Sequence, residues 1–136
     1  MRIGWAVHRG LFRLTGGRVG TQRAEGGRGT LFLVSRGRRT GAIRHNGMYY
    51  VEDGRRFIVV ASNAGESVDP SWWLNLQANP DAEVEVDRRR IPVRAREASA
   101  DESDQLWPRL DAANGEYAIY RAKATRPIPV VILEPR

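Results

Sequence analysis

The apolar positions of this chain follow two periods, and the switches between them mark out its elements. Residues 30–35 (Thr-Leu-Phe-Leu-Val-Ser) form an unbroken apolar run, as expected of a strand buried on both faces or inside a barrel. Residues 42–52 and 55–62 read as strands joined at Asp53-Gly54, a hairpin signal. Residues 82–87 and 90–96 alternate: Val84 and Val86 point one way, as do Ile91, Val93 and Ala95 on the next strand. A two-residue turn at Arg88-Arg89 then pairs Val86 with Ile91 and Glu83 with Arg94. Residues 130–133 close the series, and Pro127 and Pro129 before them argue for an edge strand.

Helical spacing appears between these runs. Ile3, Val7, Leu11 and Leu14 make one stripe over residues 3–15, with arginines opposite, and Gly16-Gly17 stops it. Residues 16–29 read as a loop. Asp69-Pro70 opens a helix through Trp72, Trp73, Leu74 and Leu76, with Asp69 as its cap and Asn79-Pro80 as its end. Ser99 and Glu102 have the spacing of a capping box, and Pro108 breaks or restarts the helix they begin. Asn114-Gly115 turns the chain into a last helical piece that carries Tyr117 and Tyr120 on one face. The pattern predicts a mainly β, α+β chain: about six mostly antiparallel strands in a small barrel with short peripheral helices. The 136 residues fit a single domain, 1–136, with residues 1–16 as an N-terminal amphipathic helix.

Composition narrows the chemistry. There is no cysteine and there are two histidines, so thiol nucleophiles, disulfides and a histidine-rich zinc site are excluded. No run reaches the ~20 apolar residues of a membrane span, and Arg9 and Arg13 interrupt any signal-peptide core. A cytoplasmic protein is expected, with peripheral membrane contact through residues 1–15 as an open alternative to packing of that helix on the domain. The net charge of +6 favours anionic partners. The aromatics are not interleaved with arginines on one strand face, however, so nucleic acid is not expected. P-loop, Gly-x-Gly-x-x-Gly and Gly-x-Ser-x-Gly motifs are missing.

Four features carry candidate chemistry. Residues 36–44 hold four arginines (Arg36, Arg38, Arg39, Arg44) and two glycines, Gly37 and Gly41, at a strand-to-strand turn. Glycines let backbone approach a ligand, and guanidinium forks match phosphate and carboxylate oxygens; the alternative is a solvated hairpin tip. Ala61-Ser62-Asn63-Ala64-Gly65, between a strand and a helix, suits a nest of outward amides that binds an anion, or is an ordinary loop. Trp72 and Trp73 face different ways on one helix, so one can line a cleft, and Asn75 one turn on can bind a ligand or cap the helix end. Tyr49 and Tyr50 sit on a strand, so only one faces inward, while Tyr117 and Tyr120 share a helix face. Phenols stack on flat ligands or deliver protons. With no nucleophile motif in view, a cofactor carries the reaction in the enzyme reading.

Gly37-Arg38-Arg39-Thr40-Gly41 with Arg44 and Asn46, then Ala61-Ser62 with Gly65, then the segment from Pro70 through Trp72, Asn75 and Pro80, and the ending Tyr117-x-x-Tyr120 before Pro127-Ile128-Pro129-Val130, resemble the deazaflavin-dependent nitroreductase family of actinobacteria. The resemblance implies a split β-barrel of the flavin-binding type and the cofactor coenzyme F420, a deazaflavin with a phosphodiester and an oligoglutamate tail. It implies hydride transfer from the reduced cofactor to an electron-poor small molecule: a quinone, an enone or a nitroaromatic. By motif, Arg38, Arg39, Thr40 and Arg44 hold the phosphate and glutamates, and Gly41 and Asn46 are further cofactor-binding positions. Ala61, Ser62, Asn63, Ala64 and Gly65 offer amides, and Trp72 and Asn75 support the cofactor side. Tyr49, Ser62, Tyr117 and Tyr120 match substrate or proton-delivery positions. Family members often carry Lys-Gly-Gly after the serine, where this chain has Asn63-Ala64-Gly65, one positive charge fewer. An FMN oxidoreductase of the same barrel type, a non-catalytic F420 carrier, and monomer or homodimer stay open.

Overall fold

The computed structural model describes residues 28–136. The helix expected over 3–15 and nearly all of the loop expected over 16–29 lie outside the described residues. Six antiparallel strands follow: β1 (Gly29–Arg36), β2 (Ile43–Asp53), β3 (Arg56–Val60), β4 (Asp81–Val86), β5 (Arg89–Glu97) and β6 (Val130–Pro135). They close into a barrel in the order β1-β2-β3-β6-β5-β4, with β4 returning to pair with β1. Three helices decorate it: α1 (Ser71–Ala78), α2 (Ala100–Ala113) and α3 (Glu116–Lys123).

Alternation sorts the side chains. Leu31 and Leu33, Met48 and Tyr50, Phe57 and Val59, Val84 and Val86, Val93 and Ala95, and Val131 and Leu133 fill the barrel, and α1 adds Trp73 and Leu76 to the same core. The opposite faces of β2, β3 and β6 present Val51, Ile58, Val130 and Ile132, which pack under Leu106 and Leu110 of α2 and Tyr117 of α3. On β2, β3 and β6, burial on both faces explains the apolar runs, because residues meet either the barrel core or the helical layer; on β1, Phe32 and Val34 of the outer face are buried as well.

Several expectations need correction. β6 is no edge strand: it lies between β3 and β5, and Pro127 and Pro129 precede it, where Pro129 still accepts from Ala61 N at 3.0 Å. The β4–β5 turn is Asp87-Arg88, with φ of 52° and 61°, so Val86 pairs with Arg89, Val84 with Ile91 and Glu83 with Pro92. The primed turn needs two residues in the left-handed region, and aspartate tolerates that region better than most residues. The two-residue shift keeps every side chain on its expected face. At the β2–β3 turn Asp53 pairs with Arg56, so Gly54 (φ 62°) and Arg55 make the loop.

The helix containing Pro108 runs unbroken from Ala100 to Ala113. Both Pro108 and Asp104, whose carbonyl loses its donor, face solvent, so water satisfies the lost bond. Its start is as expected, with Ser99 Oγ accepting from Glu102 N at 3.2 Å and Glu102 Oε1 accepting from Ser99 N at 2.9 Å. Asp69 does not cap α1. Pro70 is the N-cap residue, and the Asp69 carboxylate instead accepts from Arg126 Nη1 at 2.8 Å.

Candidate functional site

The β1–β2 loop, the β3–α1 loop and α1 all gather at one end of the barrel. β1 and β2 are antiparallel, so the arginine loop follows the C-terminus of β1 and precedes β2; β3 runs antiparallel to β2 and ends beside it, at Ala61. The β2–β3 and β4–β5 turns, and the end of β6, lie at the opposite end.

Within the arginine loop, Gly37 N donates to Ala42 O and Gly41 N donates to Gly37 O, both at 2.8 Å. Gly41 has φ of 74°, a conformation that glycine adopts without strain. A Cβ on Gly37 would stand 3.3 Å from Arg44 Nε, so the missing side chain lets Arg44 fold against the backbone. Thr40 Oγ1 accepts from Ala42 N at 3.3 Å and so shapes the loop. The loop is tied to α1 through Asn75, whose Oδ1 accepts from Arg38 N at 3.1 Å and Arg38 Nη1 at 2.9 Å. Asn75 is buried, so this pair is a fixed strut under an exposed guanidinium. Of the two tryptophans, Trp73 is core, while Trp72 is half-buried and packs against that core. Asn46 is half-buried on β2, in register with Leu33.

The Ala61–Gly65 loop has the backbone of an anion nest. Ser62 is right-handed (φ −77°, ψ −33°), and Asn63, Ala64 and Gly65 follow at φ of 45°, 54° and 76°. A right-handed residue followed by left-handed ones turns successive amides toward one side. The amides of Ser62, Asn63 and Ala64 find no acceptor among the described residues, whereas those of Gly65 and Glu66 donate to Ser62 O and Asn63 O. Left-handed backbone costs about 1–2 kcal/mol at a residue such as Ala64, and strain of this kind concentrates where a loop is shaped for a task.

The sequence around this end is poor in acids. No aspartate or glutamate occurs from Arg28 to Val51, from Phe57 to Gly65, or from Pro70 to Pro80. Among the described residues Arg36, Arg38, Arg39 and Arg44 therefore have no carboxylate partner. Arg56, Arg90, Arg94, Arg96, Arg109, Arg121, Arg126 and Arg136 each have one, whereas Arg55, Arg88 and Arg89 at the opposite end have none among the described residues but stand beside Glu52 and Asp87. The two acids nearby are engaged: Asp69 by Arg126, and Glu66 by Lys123 at 3.9 Å. Guanidiniums without a carboxylate partner and amides without an acceptor, among the described residues, form a donor set at one end of the barrel, and it suits a multiply charged anion.

A cavity of about 270 Å³ lies at the opposite end, lined by Tyr50, Phe57, Val86, Ile91, Arg55 and Arg89 among others. Glu52 and Asp87 share its rim with the arginines. Its charges are mixed, so volume alone does not make it the better anion site.

Tyr49, Tyr117 and Tyr120 gather on the outer layer beside the nest. Tyr50 points into the barrel, and Tyr49 faces outward under Arg28, whose Cζ is 4.2 Å from the ring centroid. On α3, Tyr117 is buried edge-on against Trp107 at 6.5 Å, and Tyr120 donates to Glu116 Oε2 at 2.6 Å. Burial pushes the Tyr117 phenol up to about 12, and Tyr49 adds to that shift. Desolvation, followed by the bond to Glu116, pushes Tyr120 up to about 12 as well. Both hydroxyls are thus protonated at neutral pH and able to donate. α3 packs on the nest loop: a Cβ on Gly65 would stand 3.0 Å from Tyr120 O and 3.1 Å from Lys123 Cδ. Ser62 therefore sits on the element that touches the tyrosine helix, half-buried and without a cap bond.

The family model for F420H(2)-dependent quinone reductases matches residues 5–135. The chain belongs to the F420H(2)-dependent quinone reductase family. It is 35% identical over 133 residues to an F420H(2)-dependent quinone reductase of Mycobacterium tuberculosis, covering 96% of this chain and 89% of that one. Among solved structures it is similar to an F420-H2 dependent reductase (32% identity, TM-score 0.71, 77% of this chain and 93% of that chain). It is also similar to a domain-swapped dimer (28%, TM-score 0.74, 94% and 96%). The resemblance read from the arginine turn and the tryptophan helix is thus borne out at the level of family, fold and oxidoreductase class.

Sequence reasoning missed Arg126, Lys123, Arg28 and Glu116. Arg126 and Lys123 bind the back of the nest loop, Arg28 covers Tyr49, and Glu116 accepts from Tyr120. Only the i,i+4 spacing of Glu116 and Tyr120 gave a local signal; the other three act across the fold.

Proposed function

We propose that this chain binds coenzyme F420 across the acid-free end of the barrel and reduces a quinone there. Reduced coenzyme F420 supplies a hydride. The observation that supports the reading most strongly is the donor set: four arginines with no carboxylate partner and three amides with no acceptor among the described residues, in acid-free sequence. Arg38, Arg39, Arg44 and the Thr40–Gly41 loop grip the phosphodiester and glutamates. Arg38 is preorganised by Asn75, so little side-chain entropy is lost on binding. Asn46 and Trp72 flank the ring side, and the Ala61–Gly65 loop offers its amides to an anionic oxygen.

In the same reading Tyr120 breaks its bond to Glu116 to turn its one hydroxyl proton to the reduced product, while Tyr49, Tyr117 and Ser62 line the acceptor side. FMN is the competing occupant, and its single phosphate leaves most of the arginines unused. Titration of the protein with oxidised coenzyme F420 and with FMN tests this. Micromolar or tighter F420 binding that Arg38→Ala/Arg39→Ala loses, with FMN much weaker, is expected. Preferential FMN binding, or none of either, overturns it.

A further inference from the structure

The nest loop divides its polar groups by direction, and one side chain accounts for most of that division. Arg126 lies between α3 and β6, and its guanidinium is largely buried, with a side-chain exposure of 13%. Nη2 donates to Ser62 O at 3.0 Å and Ala61 O at 3.3 Å, Nε to Glu66 O at 3.1 Å, and Nη1 to Pro127 O at 3.3 Å and the Asp69 carboxylate at 2.8 Å. Lys123 Nζ takes Ala64 O at 3.4 Å, and Glu66 N takes Asn63 O at 3.0 Å. Every carbonyl from Ala61 to Ala64 therefore has a donor, whereas three successive amides have no acceptor among the described residues.

We infer that Arg126 is the positioning residue of the anion site, holding the loop carbonyls from behind so that the amides of Ser62, Asn63 and Ala64 face a ligand. The inference rests on the reading of this loop as part of the cofactor site. Three points support it. The loop's left-handed residues cost free energy and need such restraint. Arginine is suited to this because its planar fork binds several carbonyls at fixed angles, which lysine cannot do. Asp69, offered by the sequence as a helix cap, serves instead to orient this guanidinium. A cation behind the carbonyls also aligns the peptide dipoles with their positive ends toward the anion. Arg126 and the chain's one lysine, Lys123, act here as donors to the carbonyls, their charges being offset by Asp69 and Glu66.

The experiment compares wild type, Arg126→Met, Arg126→Lys and Asp69→Asn. Each is titrated separately with oxidised coenzyme F420 and with inorganic phosphate while the amide NMR resonances of residues 62–64 and the melting temperature are recorded. In wild type both ligands shift the three amides. Arg126→Met weakens F420 binding about tenfold or more and abolishes the amide shifts, Arg126→Lys falls between, and Asp69→Asn weakens binding about threefold. Should Arg126→Met fail to fold, the lysine variant decides, since a loss of at least about threefold is expected there. Wild-type affinity and wild-type amide shifts in the variants overturn the inference, as does a wild type whose amides answer to neither ligand. Amides that respond to phosphate in an Arg126-dependent way, but not to F420, uphold the positioning role while defeating the cofactor reading.

Discussion

The two ends of this barrel are built from the same strands but treat charge in opposite ways. At one end Arg38, Arg39 and Arg44 stand in acid-free sequence, and amides of a strained loop have no acceptor among the described residues. At the other, Asp53 binds both Arg56 and Arg109, and Arg56 also reaches Glu102 at 3.4 Å. Arg56 beside Asp53 holds that carboxyl below its usual range, and Arg96, helped by the cap at Ser99, does the same for Glu102. Acids interleaved with arginines, as Glu52, Asp53 and Asp87 are with Arg55, Arg56 and Arg89, offset their repulsion, whereas arginines in acid-free sequence carry repulsion that an anion relieves. The difference locates the ligand more reliably than the 270 Å³ cavity, which lies at the end of mixed charge.

Substitutions matched across the two ends sharpen this contrast. The largest effect is expected at Tyr120→Phe, which removes the hydroxyl bonded to Glu116. Quinone-reduction kcat falls about 100-fold, while the Kd for F420 stays within about twofold. At the other end Arg56→Met leaves kcat unchanged and costs about 1 kcal/mol in denaturant unfolding.

Next come two glycines with positive φ. Gly65→Ala meets Tyr120 O at 3.0 Å and costs about 2–3 kcal/mol together with F420 affinity. Gly54→Ala meets nothing within 4 Å and costs about 1 kcal/mol, with affinity intact. Equal losses by calorimetry would break the comparison.

Asn75→Ala frees Arg38 and leaves its amide without a partner. The Kd for F420 rises about tenfold, and stability falls by about 1–2 kcal/mol. Ala64→Gly relieves left-handed strain, and chemical denaturation should show a gain of roughly 0.5–1 kcal/mol.

The smallest effect concerns pH. Tyr117 and Tyr120 have folded values raised from 10.0 to about 12, so the folded state holds their protons more tightly than the unfolded chain. Their contribution is complete below pH 10 and is lost as pH rises through about 12. Melting curves should show that loss, and Tyr117→Phe should reduce it. Glu102 works the other way: its lowered value contributes stability above the ordinary carboxylate range, lost as pH falls below it.

Much of this was legible in the sequence, because strand faces and turn chemistry are local. Alternation placed Val84, Val86, Val93 and Ala95 inward correctly although the Asp87-Arg88 turn was displaced, since a slip of two residues preserves parity. Asp-Arg-Arg-Arg offers no glycine to mark which pair turns over. Closure of the barrel around β6 was not legible, for the prolines before it look alike at an edge or ahead of a central strand. The arginine turn and the nest loop announced themselves by composition, because glycine and small residues permit the backbone that the site needs. Arg126 did not: apart from Pro127, its partners lie 57 to 65 positions away, and only the fold brings them together.

The most direct test of the central claim sets the two ends against each other in one titration. Oxidised coenzyme F420 is added to wild type, to Arg38→Ala/Arg39→Ala and to Arg55→Ala/Arg89→Ala, each with its melting temperature checked. A loss of about 100-fold or more in the first variant is expected, from two charge-assisted contacts, with less than about threefold in the second. Equal losses in both, or a greater loss in the second, would contradict the assignment of the acid-free end as the cofactor site.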